Sequence, residues 1–538
     1  MMKVIVIGAV AGGPSFATRL RRINESAEII MFERGVEISY AGCALPYYLG
    51  RVIKDRSALI ERTPEALKAK NNIDVRIQSE VTRIEPDAKR VTVKSLTGTY
   101  EETYDELVVA TGARPTLPSI TGIETATNCF TLRAVTDADK IETFIEQQAP
   151  HQVAIIGAGV AGLELADNLT LRGLKVTLVE QTKHVAFPYD DEIASEVERE
   201  LVKHNVDLKL NTTVTQIDDQ GKTLILNDGE TLSTDMILAT TGVRPNNEVA
   251  AAAGIKLAED GHIIVDNRLQ TNLPHIYAIG DVIETTSLIT GQPVPSMLST
   301  AANRQGHLLA DIINGESLTY RGFVGTGVAK VFDLTLSSVG FTAHTLAQAG
   351  LTDYESAFIT PYDIAYFFPG ASRVNFKLMY SPTTGRILGG QAVGQHGIDK
   401  RIGQLSAAIT GGLTVEDLPD IEVPYSPPFS STRDVINIAG YVALNQMQQV
   451  GQTISLSDLS DEDRRTAVFL DVREGGKRSS GSVTATLNIP LSQLRERIDE
   501  VPKGHAIFLT YRPGLSNYNA ARILSGNGIS AKIIDERS

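Results

Sequence analysis

The sequence predicts an α/β protein built around two Rossmann-like nucleotide-binding domains, and three observations carry that expectation. A short apolar run, Lys3–Ile7, enters the turn Gly8-Ala9-Val10-Ala11-Gly12-Gly13; helical spacing follows, then a second apolar run over 27–32 that ends at Glu33. The pattern returns at Gln152–Ile156 with Gly157-Ala158-Gly159-Val160-Ala161-Gly162, a helix, the run Lys175–Val179 and Glu180. Residues 107–115 are echoed by 237–245, each an apolar strand that ends in a glycine turn, with Ala110, Thr111, Gly112 and Arg114 in the first and Gly242 in the second.

Size and composition bound what these units belong to. A chain of 538 residues exceeds one hydrophobic core, which stops growing near about 250–300 residues, so about three to five domains are expected. The formal net charge is −14 and there is no long basic tract, so binding to nucleic acid or to an anionic membrane would oppose the overall field. The first residues run straight into a strand, and no apolar run reaches the roughly 18 residues that would suggest a membrane span, so the expected location is cytoplasmic. Cys43 and Cys129 are the two cysteines, too few for a disulfide framework or a four-thiolate metal site, and no metal is expected.

In the second unit each part of the glycine fingerprint has a physical task. Gly157 makes the tight turn, Gly159 lets backbone approach a pyrophosphate, Gly162 lets helix and strand pack closely, and Glu180 is placed to bind ribose hydroxyls. The first unit has Val10 where the middle glycine belongs, while Gly8, Gly13 and Glu33 keep their places. Two such units imply two dinucleotides, a bound FAD and a diffusing NAD(P)H. Gln181 and Thr182 follow Glu180, with no arginine to hold a 2'-phosphate, so NADH is favoured and NADPH stays open. A third strand, 276–279, ends in Gly280-Asp281, where the carboxylate suits a ribityl hydroxyl.

These signatures together resemble the flavin-dependent pyridine nucleotide-disulfide oxidoreductases over roughly residues 1–445. The resemblance implies a glutathione-reductase-like arrangement: an FAD domain in two parts, 1–116 and 245–324, around an NAD(P)H domain, 117–244, followed by an α+β dimerisation domain, 325–445, and hence a homodimer. It also implies that Ala11, Gly12, Arg34, Glu164 and Ala301 line the cofactor sites.

Cys43 lies in Ser39-Tyr40-Ala41-Gly42-Cys43-Ala44-Leu45-Pro46-Tyr47-Tyr48, shortly after the strand ending at Glu33, which places it near the flavin; a helix beginning just after it would stabilise a thiolate. No second cysteine stands nearby, so an internal disulfide is ruled out. Two redox partners remain, a mixed disulfide with a small thiol or a sulfenic acid. The stretch resembles the single-cysteine branch that contains coenzyme A-disulfide reductase, coenzyme A-persulfide reductase, NADH oxidase and NADH peroxidase, with Gly42 and Ala44 departing from the usual asparagine and glycine. Peroxide-using members carry a histidine where Ala11 stands. The form here resembles the coenzyme A-disulfide reductases, which implies that Arg19, Arg22, Ser39, Lys68 and Lys70 contact coenzyme A; a solvated helix face is the competing account of the basic residues. An oxidase or peroxidase that cycles Cys43 through sulfenic acid is the alternative function.

In that branch two tyrosines reach the partner's cysteine, where a phenol can protonate a leaving thiolate. Tyr425 matches one, whereas the other position reads Phe367, beside Tyr366. Cys129 has no such surroundings and is expected to be structural. Beyond a polar connector, 446–463, residues 464–538 resemble a rhodanese domain, but Tyr511 replaces the nucleophile and Pro513 removes a backbone donor from the loop, so no sulfurtransferase activity is expected.

Overall fold

The structure is a computed structural model that describes residues 2–449, 451–474, 483–510 and 514–535; Tyr511 and Pro513 lie outside the described residues. The chain forms two compact units, one of residues 1–186 and 201–325, the other of 187–200 and 326–538.

The first unit holds both nucleotide-binding domains. Strands Ile276–Ala278, Glu106–Val109, Lys3–Ile7, Glu28–Phe32 and Asp74–Arg76 form one parallel sheet in that order. Their continuous apolar runs follow from burial on both faces: Val4, Ile5, Val6, Leu107, Val108 and Val109 are fully buried. Helices Gly12–Ile23 and Ser299–Ile313 cross so closely that a Cβ on Gly306 would sit 2.5 Å from the Gly12 carbonyl oxygen. The sheet is completed by chain that returns after the second domain, since Ile276–Ala278 pairs with Glu106–Val109.

The second domain repeats the plan with Asp207–Lys209, Lys175–Val179, Gln152–Ile156, Met236–Ala239 and Cys129–Phe130 in a parallel sheet. Beside each sheet lies a three-stranded antiparallel meander, over 79–103 and over 214–233. The two echoed stretches meet: Ala113–Pro115 pairs antiparallel with Val243–Pro245, Arg114 opposite Arg244.

The second unit begins with a five-stranded antiparallel sheet, Thr326–Val331, Leu334–Gly340, Ile387–Gly394, Asn375–Tyr380 and Glu355–Ile359. Helices Ile398–Gly411 and Val435–Met447 pack with it. Arg401 is buried and pairs with buried Asp434 at 2.8 Å, while its guanidinium also donates to the Asp363 carbonyl. Breaking such a buried pair costs about 3–5 kcal/mol, so this network fixes the loops that start at Asp363 and end at Asp434.

The chain closes with a parallel sheet in the order Thr453–Ser455, Ala531–Asp535, Ile507–Leu509, Val468–Asp471 and Leu487–Asn488. The stretch 446–463, expected to be a connector, therefore contributes an edge strand. Thr453–Ser455 contains a single apolar residue and shows no alternation to read, and its pairing with Ile533 to Asp535 is what makes it a strand. Among the described residues no helix is long and apolar enough to cross a membrane.

Candidate active site

The glycine turns have the geometry that bound dinucleotides need. Gly8 and Gly157 adopt φ of 107° and 104°, and a Cβ would come within 2.2 Å of the Ala110 carbonyl oxygen in the first and 2.8 Å of the Thr240 carbonyl oxygen in the second. A Cβ on Gly13 or Gly162 would lie 2.0 or 2.1 Å from the carbonyl oxygen of the first glycine of its turn. Gly159 faces open space, and a Cβ there would meet nothing within 4 Å, so its backbone is free to approach a pyrophosphate. The two acids are held alike. Glu33 accepts the N–H groups of Ala9 at 3.0 Å and Gly35 at 2.8 Å; Glu180 accepts those of Ala158 at 2.7 Å and Thr182 at 2.9 Å, and also the Thr182 hydroxyl. These residues fit a dinucleotide in each turn.

The strand ends beside the first turn are braced from several directions. Ala110 donates its N–H to Ile7, and the Thr111 hydroxyl donates to the Asn246 carbonyl, whose side-chain amide donates back to Thr111. Arg114 donates to the Asn246 side chain at 2.7 Å and pairs with Glu248, so its guanidinium is occupied in joining the two echoed turns. Gly112 and Gly242 both have positive φ. The Gly280 N–H donates to Gln305, which donates to Ser296, and Asp281 pairs with Arg133 at 2.6 Å. Arg133 also lies 4.0 Å from where a Gly112 Cβ would be, at the rim of the expected flavin site. Neither Arg133 nor Gln305 belongs to a motif, and sequence reasoning passed over both; the position of Gln305 directly before the tightly packed Gly306 was the available signal. Ala301 is buried on the same helix, Ala11 precedes helix Gly12–Ile23, Gly12 abuts Ile279, and Arg34 is exposed.

The cysteine segment is tied to both domains. Ser39 is buried with φ of 46°, its N–H donates to the Ala9 carbonyl at 2.8 Å, and its own carbonyl accepts from Glu61. That strained residue anchors the segment to the first glycine turn. Cys43 is exposed on a single turn, Gly42–Ala44, that leads into the short helix Leu45–Leu49. This helix packs on Val160–Leu171 of the second domain, where Arg172 donates to the Leu49 carbonyl. Gly42 has room around it, since a Cβ there would meet the Tyr40 ring no closer than 4.0 Å.

Tyr47, on that short helix, donates to Glu164 at 3.3 Å. Burial pushes the Glu164 carboxyl up to about 7, the Tyr47 hydrogen bond pulls it back in part, and nearby Asp167 adds to the rise. Burial and the Glu164 charge push the Tyr47 phenol upward, with a smaller contribution from Cys43. Cys129 is half-buried, and burial raises its thiol to about 11, which keeps it protonated at neutral pH.

The basic residues differ in freedom. Arg19 pairs with Asp311 at 2.7 Å, whereas Arg22 is exposed. Arg21 donates to the Asn71 and Asn72 carbonyls, which brings the end of the first helix beside helix Pro64–Asn71, bearer of the exposed Lys68 and Lys70. Lys68 donates to Asn72. In the second unit the Ala365 N–H donates to the Pro427 carbonyl, so the two expected tyrosine segments lie side by side. Tyr366, Phe367, Tyr425 and Phe429 are all exposed there, and the rings of Tyr366 and Phe367 meet edge to face with centroids 5.4 Å apart.

Comparison with known proteins matches this architecture. Residues 2–306 match the family described as pyridine nucleotide-disulphide oxidoreductase, and 327–435 match its dimerisation domain. A coenzyme A disulfide reductase of Staphylococcus aureus is 35% identical over 446 residues, 82% of this chain and 100% of its own length. The crystal structure of reduced Bacillus anthracis CoADR-RHD is 40% identical with a TM-score of 0.97, covering 99% of this chain and 96% of its own. An NAD-dependent persulfide reductase from A. fulgidus is 34% identical with a TM-score of 0.91, covering 99% of each chain. A water-forming NADH oxidase from Lactobacillus brevis is 28% identical with a TM-score of 0.79, covering 84% of this chain and 99% of its own.

Proposed function

Because the chain belongs to the pyridine nucleotide-disulphide oxidoreductase family, we propose that it is an NADH-dependent flavoenzyme that reduces coenzyme A disulfide, or coenzyme A persulfide, through Cys43. The observation that carries this reading is the exposed, solitary Cys43, tied through Ser39 to one glycine turn and through helix Leu45–Leu49 to the helix of the other. A bound FAD supplies the two-electron link between the nicotinamide and the disulfide at this cysteine.

The residues of the chain divide the remaining work. Gly8, Gly13 and Glu33 would hold FAD, with Arg133 and Asp281 beside it, and Gly157, Gly159, Gly162 and Glu180 would hold NADH, with the Glu180 carboxylate available to its ribose hydroxyls. The Cys43 thiolate attacks one sulfur of the substrate disulfide, forming a mixed disulfide and releasing the other half as a thiolate that takes up a proton; reduction of the mixed disulfide returns Cys43 and frees the second thiol. Arg22, Lys68 and Lys70 offer cationic contacts for substrate phosphates. Arg19 reaches them only by leaving Asp311. Tyr425 serves as proton donor across a homodimer, a role that the exposed aromatic cluster around it supports, because such a surface favours burial against a second copy. The unpaired thiol also suits a sulfenic acid, the oxidase alternative, and the similar NADH oxidase keeps that reading in view.

The test is anaerobic NADH consumption by the flavin-loaded protein with coenzyme A disulfide, coenzyme A persulfide and glutathione disulfide offered separately, then with oxygen or peroxide alone. The reading requires preferential turnover of a coenzyme A substrate. It also requires Cys43→Ser to lose at least about a thousandfold in that turnover while NADH still bleaches the flavin. Turnover with oxygen or peroxide alone assigns the protein to the oxidase class.

A further inference from the structure

The second unit contains a cavity of about 1420 Å³, larger than most small-molecule sites, which run to about 1000 Å³. One wall is the C-terminal parallel sheet, which contributes residues that follow three of its strands together with the first residues of Thr453–Ser455 and Ala531–Asp535, Lys532 among them. Arg473 follows strand Val468–Asp471, Thr510 and Ser516 follow Ile507–Leu509, and Leu491 follows Leu487–Asn488. The crevice outside the carboxyl ends of parallel strands is where open α/β sheets take their ligands, because loops and helix N-termini converge there. The opposite wall is helix Val435–Met447 with Arg373 and Arg433.

The charges lining this cavity do not balance. Of the lining acids, Glu192 pairs with Lys377 at 3.1 Å, whereas Glu355 accepts the Tyr380 hydroxyl at 3.1 Å and Glu474 accepts the N–H and hydroxyl of Ser492, so these two keep their charge. Among the described residues, Arg433 and Lys532 are exposed and form no ion pair or side-chain hydrogen bond. Arg373 lies 3.8 Å over the Tyr362 ring and donates to the Thr360 carbonyl, again without a carboxylate. Among the described residues, three cations without a carboxylate partner, Arg373, Arg433 and Lys532, therefore face the cavity against two carboxylates without a cation partner, Glu355 and Glu474, which leaves an excess of positive charge. Apolar surface faces it too, since Tyr441 and Leu515 line it and are 44% and 75% exposed.

We propose that this cavity binds a phosphorylated small molecule of nucleotide size, its phosphates held by Arg433 and Lys532 and its apolar part laid against Tyr441 and Leu515. The field at the start of the twelve-residue helix Leu515–Gly526 adds to the attraction. Binding is non-covalent and separate from the chemistry at Cys43, so this site stands whether or not coenzyme A disulfide is the substrate.

The test is calorimetric titration of the full-length, flavin-loaded protein with inorganic pyrophosphate, with saturating NAD+ present to fill the second glycine turn. One pyrophosphate per chain is expected, bound more weakly as salt rises. Arg433→Ala and Lys532→Ala, both at exposed positions, are each expected to weaken it about tenfold, the loss of one charge-assisted contact. No binding at millimolar pyrophosphate, or equal binding by both variants and the parent, overturns the proposal. Competition then separates the two sources of a nucleotide phosphate. Displacement by coenzyme A names the substrate itself, displacement by ADP alone names a free nucleotide, and displacement by neither overturns the assignment of a nucleotide-sized ligand.

Discussion

The two glycine turns of the first unit share a plan and differ at one position. Both start with a positive-φ glycine, both end with a glycine whose Cβ would strike the carbonyl of the first, and both send the second residue's N–H to the acid at the end of the next strand. The middle position is Val10 in one and the unobstructed Gly159 in the other. The flanking glycines thus meet demands of the fold, which any residue with a Cβ violates, whereas nothing in the fold demands a glycine at 159, which leaves the proposed dinucleotide as the reason for it. The first turn keeps the same flanking geometry with Val10 at its middle position.

Substitutions that exchange this feature test the distinction. Gly159→Val gives the second turn the first turn's middle residue; we expect NADH to bind about 10- to 100-fold more weakly, about 1.4–2.8 kcal/mol, with an unchanged thermal midpoint, as read by flavin bleaching at graded NADH. A large fall in the midpoint would mean that Gly159 is a folding residue after all.

Glu164, on the helix that leaves the second turn, gives the next effect. Its carboxyl is raised to about 7, so between the ordinary range near 4.5 and pH 7 the folded protein holds a proton that the unfolded chain releases. Stability from this group is therefore complete at low pH and falls as pH rises through that window, by up to about 1.4 kcal/mol per pH unit. Glu164→Gln is expected to flatten the stability profile between pH 5 and 7 in denaturant titrations; an unaltered slope would sink the assignment. The smallest effect is expected for Val10→Gly, a loss of about 0.5–1 kcal/mol from added chain freedom with flavin retained through dialysis.

The two cysteines repeat the lesson on another scale. Their types are identical, and motif context alone separated Cys43 from Cys129. The structure supplies the reason, an exposed turn between two domains against a half-buried strand where the thiol is raised to about 11.

The sequence by itself determined what is local and repetitive: both glycine units with their acids, the echoed strands that end in Gly112 and Gly242, the Gly280-Asp281 strand and the isolation of Cys43. Each rests on backbone conformation or apolar periodicity, which adjacent residues dictate. Tertiary structure alone decided what depends on distant partners. It seated Arg133 on Asp281 and Gln305 on Gly280, committed Arg19 to Asp311 and Arg114 to Glu248, and made an edge strand of Thr453–Ser455. A long cationic side chain reads the same in a sequence whether it is free or paired, because its partner lies up to hundreds of residues away and only folding brings the two charges together.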